Sequence, residues 1–423
     1  MGFANQYLEK QKNFKFHINS KPPKDLNFIV VIPCYNEDRL INSLEALHNC
    51  HKPQTPVEIV IVINSSLDAE NRVKEQNLKT FKEANEWIKI HKTYKFNYHS
   101  VFLPDLSPKF AGAGLARKIG MDEAVGRFNL IQNHDGIIIS FDADSICDKN
   151  YLCEVEKNFN KHPDAAGCSI YFEHPLTGNE FSDEVYKAIT LYELNLRYYL
   201  QSLRIISFPF AYHTIGSCFA VRASAYVKQG GMNRKKAGED FYFLHKIIPS
   251  GNFFEINSTR VIPSPRPSGR VPFGTGAVIN KILMAKNTEF MTYNPKSFED
   301  LGRFFKIFPE LFKKQKPEIV KIIEMLPEPI RAFLYINSAV NKIEEVNNNC
   351  NNIKSFIKRL FSWFNAFKVL KFLNFCTERY YPQINVITAV NTILGKLGLP
   401  PSYNYGDSDL LKLLRKYEKR HCN

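Results

Sequence analysis

Apolar residues in the first 150 positions gather in short unbroken runs instead of alternating with polar ones. Phe28-Ile-Val-Val-Ile32, Val57-Glu-Ile-Val-Ile-Val-Ile63 and Gly136-Ile-Ile-Ile-Ser-Phe141 are rich in β-branched residues, and a weaker run covers Phe96–Leu103. Runs of this length and composition predict strands covered on both faces. Between them Arg39–Asn49, Ala69–Ile90 and Leu115–Phe128 carry helical spacing. The alternation predicts an α/β fold with a mostly parallel sheet and flanking helices. From 151 to about 280 the mixture continues, with strands over Ala165–Phe172 and Phe253–Ile262 and a long Tyr- and Leu-rich helix over Asp183–Ile206. Beyond about Phe290 the chain becomes helical, basic and rich in Phe, with breaks at Pro309, Pro317, Pro327 and Pro329 and an Asn-rich linker at Asn347–Asn352. No internal repeat is present. The expected organisation is an extension over 1–25, an α/β domain over 26–285 with halves at 26–150 and 151–285, and a basic α-helical region over 286–423.

Composition narrows the class. With 44% apolar and 23% charged residues, the 423-residue chain can bury a large core, so disorder does not dominate. The last 78 residues hold twelve Lys/Arg and four Asp/Glu, a net +8 of the chain's +14. Within them 353–375 has Lys354, Lys358, Arg359, Lys368 and Lys371, no acid, and apolar residues near helical spacing. Two readings follow. The segment lies on an anionic membrane, or its Phe face packs against the α/β domain, which is the preferred reading. No nucleic-acid reader motif occurs, and no nucleic-acid partner is expected. The nine cysteines are odd in number, scattered and without a CxxC pair, which suits buried thiols in a reducing compartment. No apolar stretch approaches the roughly 20 residues of a spanning helix. The expected location is cytoplasmic, with peripheral contact on the inner face of the membrane under the first reading.

In parallel sheets ligands bind beyond the carboxyl ends of the strands, and the residues there carry chemistry. Asp142-Ala-Asp144 follows the strand ending at Ser140. Two carboxylates at i, i+2 leaving a strand can share one hard cation, Mg or Mn, with a phosphate; as a turn or cap they would be ordinary. Pro33-Cys-Tyr-Asn-Glu37 follows the first strand, where Tyr35 can pack on a flat base and Asn36 or Asp38 can cap the next helix. Asn64, after the second strand, can hydrogen-bond a base. Ala111-Gly-Ala-Gly-Leu-Ala-Arg-Lys-Ile-Gly120 brings glycines, Arg117 and Lys118 to a helix start, a setting for a diphosphate. It is neither a dinucleotide fingerprint nor a Walker loop. Glu239-Asp240 opens another helix and can cap it or accept a proton. Arg266 and Arg270, in a loop dense with Pro, Gly and Ser, are available for a phosphate or on a plain surface connection. Glu173-His174, after another strand, is a lesser candidate for the acceptor side.

Together, strand-Pro-x-Tyr-Asn-Glu, the Asp-Ala-Asp strand end and the later Glu-Asp pair resemble the inverting family 2 glycosyltransferases of the GT-A fold, over roughly residues 26 to 280. The resemblance implies that Pro33, Tyr35 and Glu37 hold the nucleotide, Asp142 and Asp144 hold the diphosphate and a divalent ion, Arg117 and Lys118 lie beneath the nucleotide sugar, and Asp240 is the base. It implies Mn2+ or Mg2+ as cofactor, a nucleoside-diphosphate sugar as donor, and a glycan, lipid-linked or small-molecule hydroxyl as acceptor. The chain departs from the pattern after the second strand, where Asn64-Ser-Ser-Leu-Asp68 stands in place of early acids. It also lacks a QxxRW-type motif, which points away from a processive synthase. The third metal ligand is left open. The rival readings are a sugar nucleotidyltransferase, against which the first loop lacks a glycine-rich phosphate turn, and a non-catalytic membrane-surface interaction protein.

Overall fold

The structure is a computed structural model that describes residues 2–11, 14–233, 238–269, 274–285, 289–401 and 405–421. The chain divides into two compact units. The first comprises Met1–Tyr186, Thr214–Lys281 and Arg415–Asn423, and the second Lys187–His213 and Ile282–Leu414.

The first unit holds an eight-stranded sheet: β1 Phe28–Cys34, β2 Val57–Ser66, β3 Phe96–Leu106, β4 Ile137–Ser140, β5 Ile146–Cys147, β6 Gly167–Phe172, β7 Phe219–Arg222 and β8 Phe254–Ile262. Their order is β3-β2-β1-β4-β7-β6-β8-β5. The first four neighbours are parallel, with Val31 opposite both Val60 and Ser140. β7 runs antiparallel to β4 and β6, and β5 antiparallel to β8. The expected α/β sheet is present, and the reversal at β7 lies beyond what the apolar runs could indicate. Every residue of β1 and β4 is buried, which explains why these strands read as continuous apolar runs.

The helices α1 Asn5–Lys10, α2 Leu40–His48, α3 Asn71–His91, α4 Ala113–Leu130 and α5 Tyr151–Lys161 belong to this unit. Helix α4 lacks an exposed polar face: Arg117, Lys118, Asp122, Glu123 and Arg127 are all buried. On one side it lies so close to the sheet that a Cβ on Gly120 would come within 2.4 Å of Val31 Cγ1. On the other, the N-terminal segment satisfies its polar groups. Tyr7 donates to Asp122 at 2.7 Å, the His17 amide donates to Glu123 at 2.9 Å, and Arg127 donates to the Ser20 carbonyl at 2.9 Å. Arg127 also forks onto Glu58 of β2. The first 25 residues therefore act as a cover that makes buried charge on α4 tolerable.

Further along come α6 Asp183–Ile205, α7 Ala223–Lys228, α8 Glu239–Ile247 and α9 Thr275–Met284. The second unit is helical, with α10 Pro295–Lys306, α11 Lys316–Glu324, α12 Glu328–Ile336, α13 Ala339–Asn348, α14 Ile353–Trp363, α15 Ala366–Arg379 and α16 Val386–Leu394. A final helix, α17, spans Asp407–Arg420. The amphipathic stretch 353–375 is two helices. Phe364 ends the first, and the Asn365 side chain caps the second by accepting from the Phe367 and Lys368 amides. Their Phe face is packed within the second unit: Phe305–Phe361 centroids lie 5.1 Å apart, Phe312–Phe356 5.4 Å and Phe333–Phe372 5.3 Å, and Phe208, which falls inside the expected α/β domain, meets Phe361 at 6.1 Å. That face is unavailable to lipid, while Lys354, Lys358, Arg359 and Lys371 stay exposed. Among the described residues no helix is long and apolar enough to cross a membrane.

Candidate active site

The loops after β1 and β4 are neighbours because the two strands are adjacent and parallel. Glu37 stands beyond β1, Asp142 and Asp144 beyond β4, and Glu239 and Asp240 at the start of α8. Arg117 and Arg266 pair with four of these five carboxylates, and Asp240 lies in the field of Arg117. Arg117, on α4, is buried and donates through Nε to Glu239 at 3.1 Å and through Nη1 to Asp142 at 3.1 Å. The same nitrogen reaches Ser140 Oγ at 3.2 Å and the Gly216 carbonyl at 3.3 Å. Arg266 forks onto Glu37 and extends to Asp144 at 3.4 Å and Asp38 at 3.5 Å. The site residues from four distant parts of the sequence thus meet at one end of the sheet.

Among the described residues two guanidinium groups face these five buried or half-buried carboxylates, and burial raises several of the acids. Burial, then the charges of Glu37 and Asp142, push Asp144 up to about 7 against the pull of Arg266. Burial likewise raises Glu239 to about 7, opposed by Arg117 and assisted by Asp240. Asp240 is raised by burial, with Arg117 pulling the other way. Glu37 is raised by burial and restrained by Arg266. The paired oxygen donors of Asp142 and Asp144 are of the type that suits a hard divalent cation. Among the described residues no group of three or more His, Cys, Asp or Glu is placed to hold a metal ion.

The β1 loop is built differently from the expected helix cap. Helix α2 begins at Leu40 without a side-chain cap, and Asn36 takes a left-handed backbone with φ of 49°. Its amide donates to Asn77 Oδ1 at 2.8 Å. Glu37 accepts from the Arg39 amide at 3.0 Å and its carbonyl from Thr80 Oγ1 at 2.6 Å. These bonds anchor the loop on α3 and aim the Glu37 carboxylate at Arg266. Pro33 is buried within β1. Tyr35 is half-buried, and its hydroxyl is raised by burial and then by Glu70 and Asp68. Asp68 and Glu70, four and six residues after Asn64, are thus close enough for their charge to act on Tyr35.

Asn64 and Lys118 have other partners. Asn64 donates to the Gly112 carbonyl at 2.9 Å and accepts from the Gly112 amide at 3.2 Å, so it holds the turn that starts α4. Lys118 is bound by Asp122 at 2.7 Å, next to Tyr7 and Tyr226, and does not join the Arg117 cluster. Arg270 lies outside the described residues. Glu173 is held by Arg260 at 2.7 Å and Lys419 at 2.8 Å, and the carbonyl of His174 accepts from Arg415 at 2.8 Å. The pair thus binds the returning C-terminus. His245 packs edge-on against Phe241 with centroids 4.2 Å apart, and burial lowers it to about 4.

Ser140 and Gly216 were missed. Ser140 read as a strand end, yet its hydroxyl donates to Gly216 at 2.6 Å and accepts from Arg117. At Gly216 a Cβ would come within 2.9 Å of both Arg117 Nη2 and Asp240 Oδ2. A side chain here would have to displace the ends of both groups, and no motif announces it.

The fold and its acidic strand ends define a nucleotide-type α/β enzyme, and the family follows from direct comparison. The family model Glycosyl transferase family 2 matches residues 29–229. This domain belongs to that family, and the protein is a glycosyltransferase. No curated protein matches the sequence. Among solved structures, S. aureus TarS 1–349 in complex with UDP-GlcNAc is similar at 14% identity, covering 80% of this chain and 92% of that one with a TM-score of 0.42. TarS 1–349 with UDP matches at 14% identity, the same coverage and a TM-score of 0.41.

Proposed function

We propose that the protein transfers a sugar from a nucleoside-diphosphate sugar to a hydroxyl acceptor, once per encounter and with inversion at the anomeric carbon. The observation that carries this reading is the gathering of Glu37, Asp142, Asp144, Glu239 and Asp240 around Arg117 and Arg266 at the carboxyl ends of β1 and β4. Tyr35, with Asp68 and Glu70 near it, faces the base, and the β1 loop holds the nucleoside. Asp142 and Asp144 fit Mn2+ or Mg2+ as a two-carboxylate platform that leaves positions for phosphate oxygens and water. Such an ion supplies Lewis-acid stabilisation of the departing diphosphate. Arg266 turns from Glu37 and Asp144 to the diphosphate when the donor arrives, so the anion takes over the role of the carboxylates.

Asp240 accepts the proton of the acceptor hydroxyl as its oxygen attacks the anomeric carbon. The bond from that carbon to the diphosphate breaks on the opposite face, and the nucleoside diphosphate leaves with the electron pair. Arg117 positions Asp142 and Glu239 and favours the ionised form of Asp240. The exposed Lys354, Lys358, Arg359 and Lys371 offer an electrostatic contact with an anionic surface near the inner face of a membrane.

A panel of UDP- and GDP-sugars screened for thermal stabilisation with and without Mn2+ tests the reading. One donor class should raise the melting temperature in a metal-dependent way, and NMR of the product should show the inverted anomer. A panel without any response rejects the donor, and retention rejects Asp240 as a simple base.

A further inference from the structure

Eight cysteines lie among the described residues, all as free thiols. Two of them meet. Cys50, just after α2, and Cys147, at the end of β5, place their sulfurs 3.6 Å apart across 97 positions of sequence. The backbone locks the two segments together here, since the His51 amide donates to the Lys149 carbonyl at 2.7 Å. Closing a disulfide requires the sulfurs to approach to about 2.05 Å, a change that side-chain rotation shares between two residues already in contact.

The surroundings distinguish the two thiols. Cys50 Sγ faces the amides of Tyr151 and Leu152, the first residues of α5. The Cys147 thiol and these amides lower Cys50 from its ordinary value, with burial and Asp148 opposing, while the Ala46 carbonyl at 3.4 Å and the Asp148 carbonyl at 3.7 Å accept from the Cys50 thiol. The contrast with Cys34 and Cys168 is clear, because burial pushes both of those up. Cys147 follows Asp144 by three residues, and α2 begins three residues after Glu37.

We propose that Cys50 and Cys147 are a redox modification site in which a hydroperoxide oxidises Cys50 and Cys147 resolves it to a disulfide, tethering the Asp142–Asp144 loop to the end of α2. In the first step the Cys50 sulfur attacks the peroxide oxygen, the O–O bond breaks, and Cys50 becomes a sulfenic acid with release of water or an alcohol. In the second, the Cys147 sulfur attacks the Cys50 sulfur, and the S–O bond breaks with loss of water. Two thiols are oxidised and one peroxide is reduced. The proposal does not depend on the identity of the sugar donor or on the transfer reaction.

The test uses the full chain, folded, with one equivalent of hydrogen peroxide, followed by alkylation of free thiols and peptide mapping. The expected product is a single crosslinked peptide joining Cys50 to Cys147, reversed by dithiothreitol, with Cys34, Cys153 and Cys168 still alkylated. In Cys147→Ser, Cys50 should be trapped as a dimedone adduct; in Cys50→Ser, neither crosslink nor adduct at Cys147 should form. The mapping of the unmutated chain stands even if a variant fails to fold. A crosslink through Cys153, scattered oxidation, or intact thiols at both positions overturns the proposal.

Discussion

Two clusters of charge in the first unit are built from the same side chains and behave in opposite ways. Around Glu173 one carboxylate faces three cations: Arg260 at 2.7 Å, Lys419 at 2.8 Å and Arg415 at 3.8 Å. Burial opposes ionisation there, but these partners and Tyr171 hold Glu173 down at about 2. At the β1–β4 end, five carboxylates lie around two arginines among the described residues, and both Asp144 and Glu239 rise to about 7. The first cluster is complete: it fastens the returning residues 415–420 to β6 and β8 and leaves nothing for a ligand to add. The second has more carboxylates than cations among the described residues, and in the proposed reading a bound metal ion supplies the balancing charge. Ion clusters that serve stability satisfy themselves, whereas a binding site stays unsatisfied until its ligand arrives.

Substitutions break or sharpen that contrast. Removing Arg117 takes from buried Glu239 the guanidinium that pairs with it at 3.1 Å and should cost about 3–5 kcal/mol in urea unfolding, the penalty of breaking a buried ion pair. Arg117→Lys should recover little of it, because a point charge cannot reach Glu239, Asp142 and the Gly216 carbonyl together. An unfolding midpoint equal to that of the unmutated protein would falsify the claim that Arg117 holds the site.

Asp144→Ala relieves crowding of negative charge and should leave the fold intact. Sugar transfer should nevertheless fall by about 1000-fold, as expected when a metal-holding carboxylate is lost. Excess chelator should reproduce the loss in the unmutated enzyme. Full activity in either case removes the metal from the mechanism.

At Gly216 the change is smaller. An added methyl meets Arg117 and Asp240 at 2.9 Å and shifts both, so Gly216→Ala should lower kcat about 100-fold, the order expected of a misplacement near 1 Å. Donor affinity should move less than kcat, and equal losses in both would assign the glycine to folding.

The complete cluster gives the smallest effect and a distinct pH signature. Glu173 has a folded-state value below its ordinary 4.5, so its stabilisation is present above that pH and fades as pH falls toward about 2. Glu173→Gln should therefore lose about 1–2 kcal/mol at neutral pH, a figure kept small because Lys419 and Arg260 are open to solvent. The gap between variant and parent should close in acid. A gap that persists at pH 2 would mean that packing, not charge, holds the C-terminus.

Much of the site was legible because its members sit at a place that sheet geometry reserves for ligands. Glu37, Asp142 and Asp144 follow apolar runs directly, and no contact between them was needed to suspect them. Lys118 and Asn64 were equally well placed along the chain, yet Asp122 claims one and Gly112 the other. For Lys118 the direction in which a helix residue points decides that outcome, since neighbouring positions on α4 differ by about 100° around its axis.

Taken alone, the order of residues determined the alternating α/β plan, the buried parallel strands, the acids at their ends and the helical, basic C-terminal region. These depend on local periodicity and on the restricted conformations of a few residue types. Tertiary structure alone decided which charges neutralise one another, why Gly216 and Ser140 belong to the site, and where the ends of the chain go. The N-terminal 25 residues cover α4, and the last residues return to β6 and β8. Such pairings join positions from 25 to more than 200 residues apart, and they exist only once the sheet order brings the segments together.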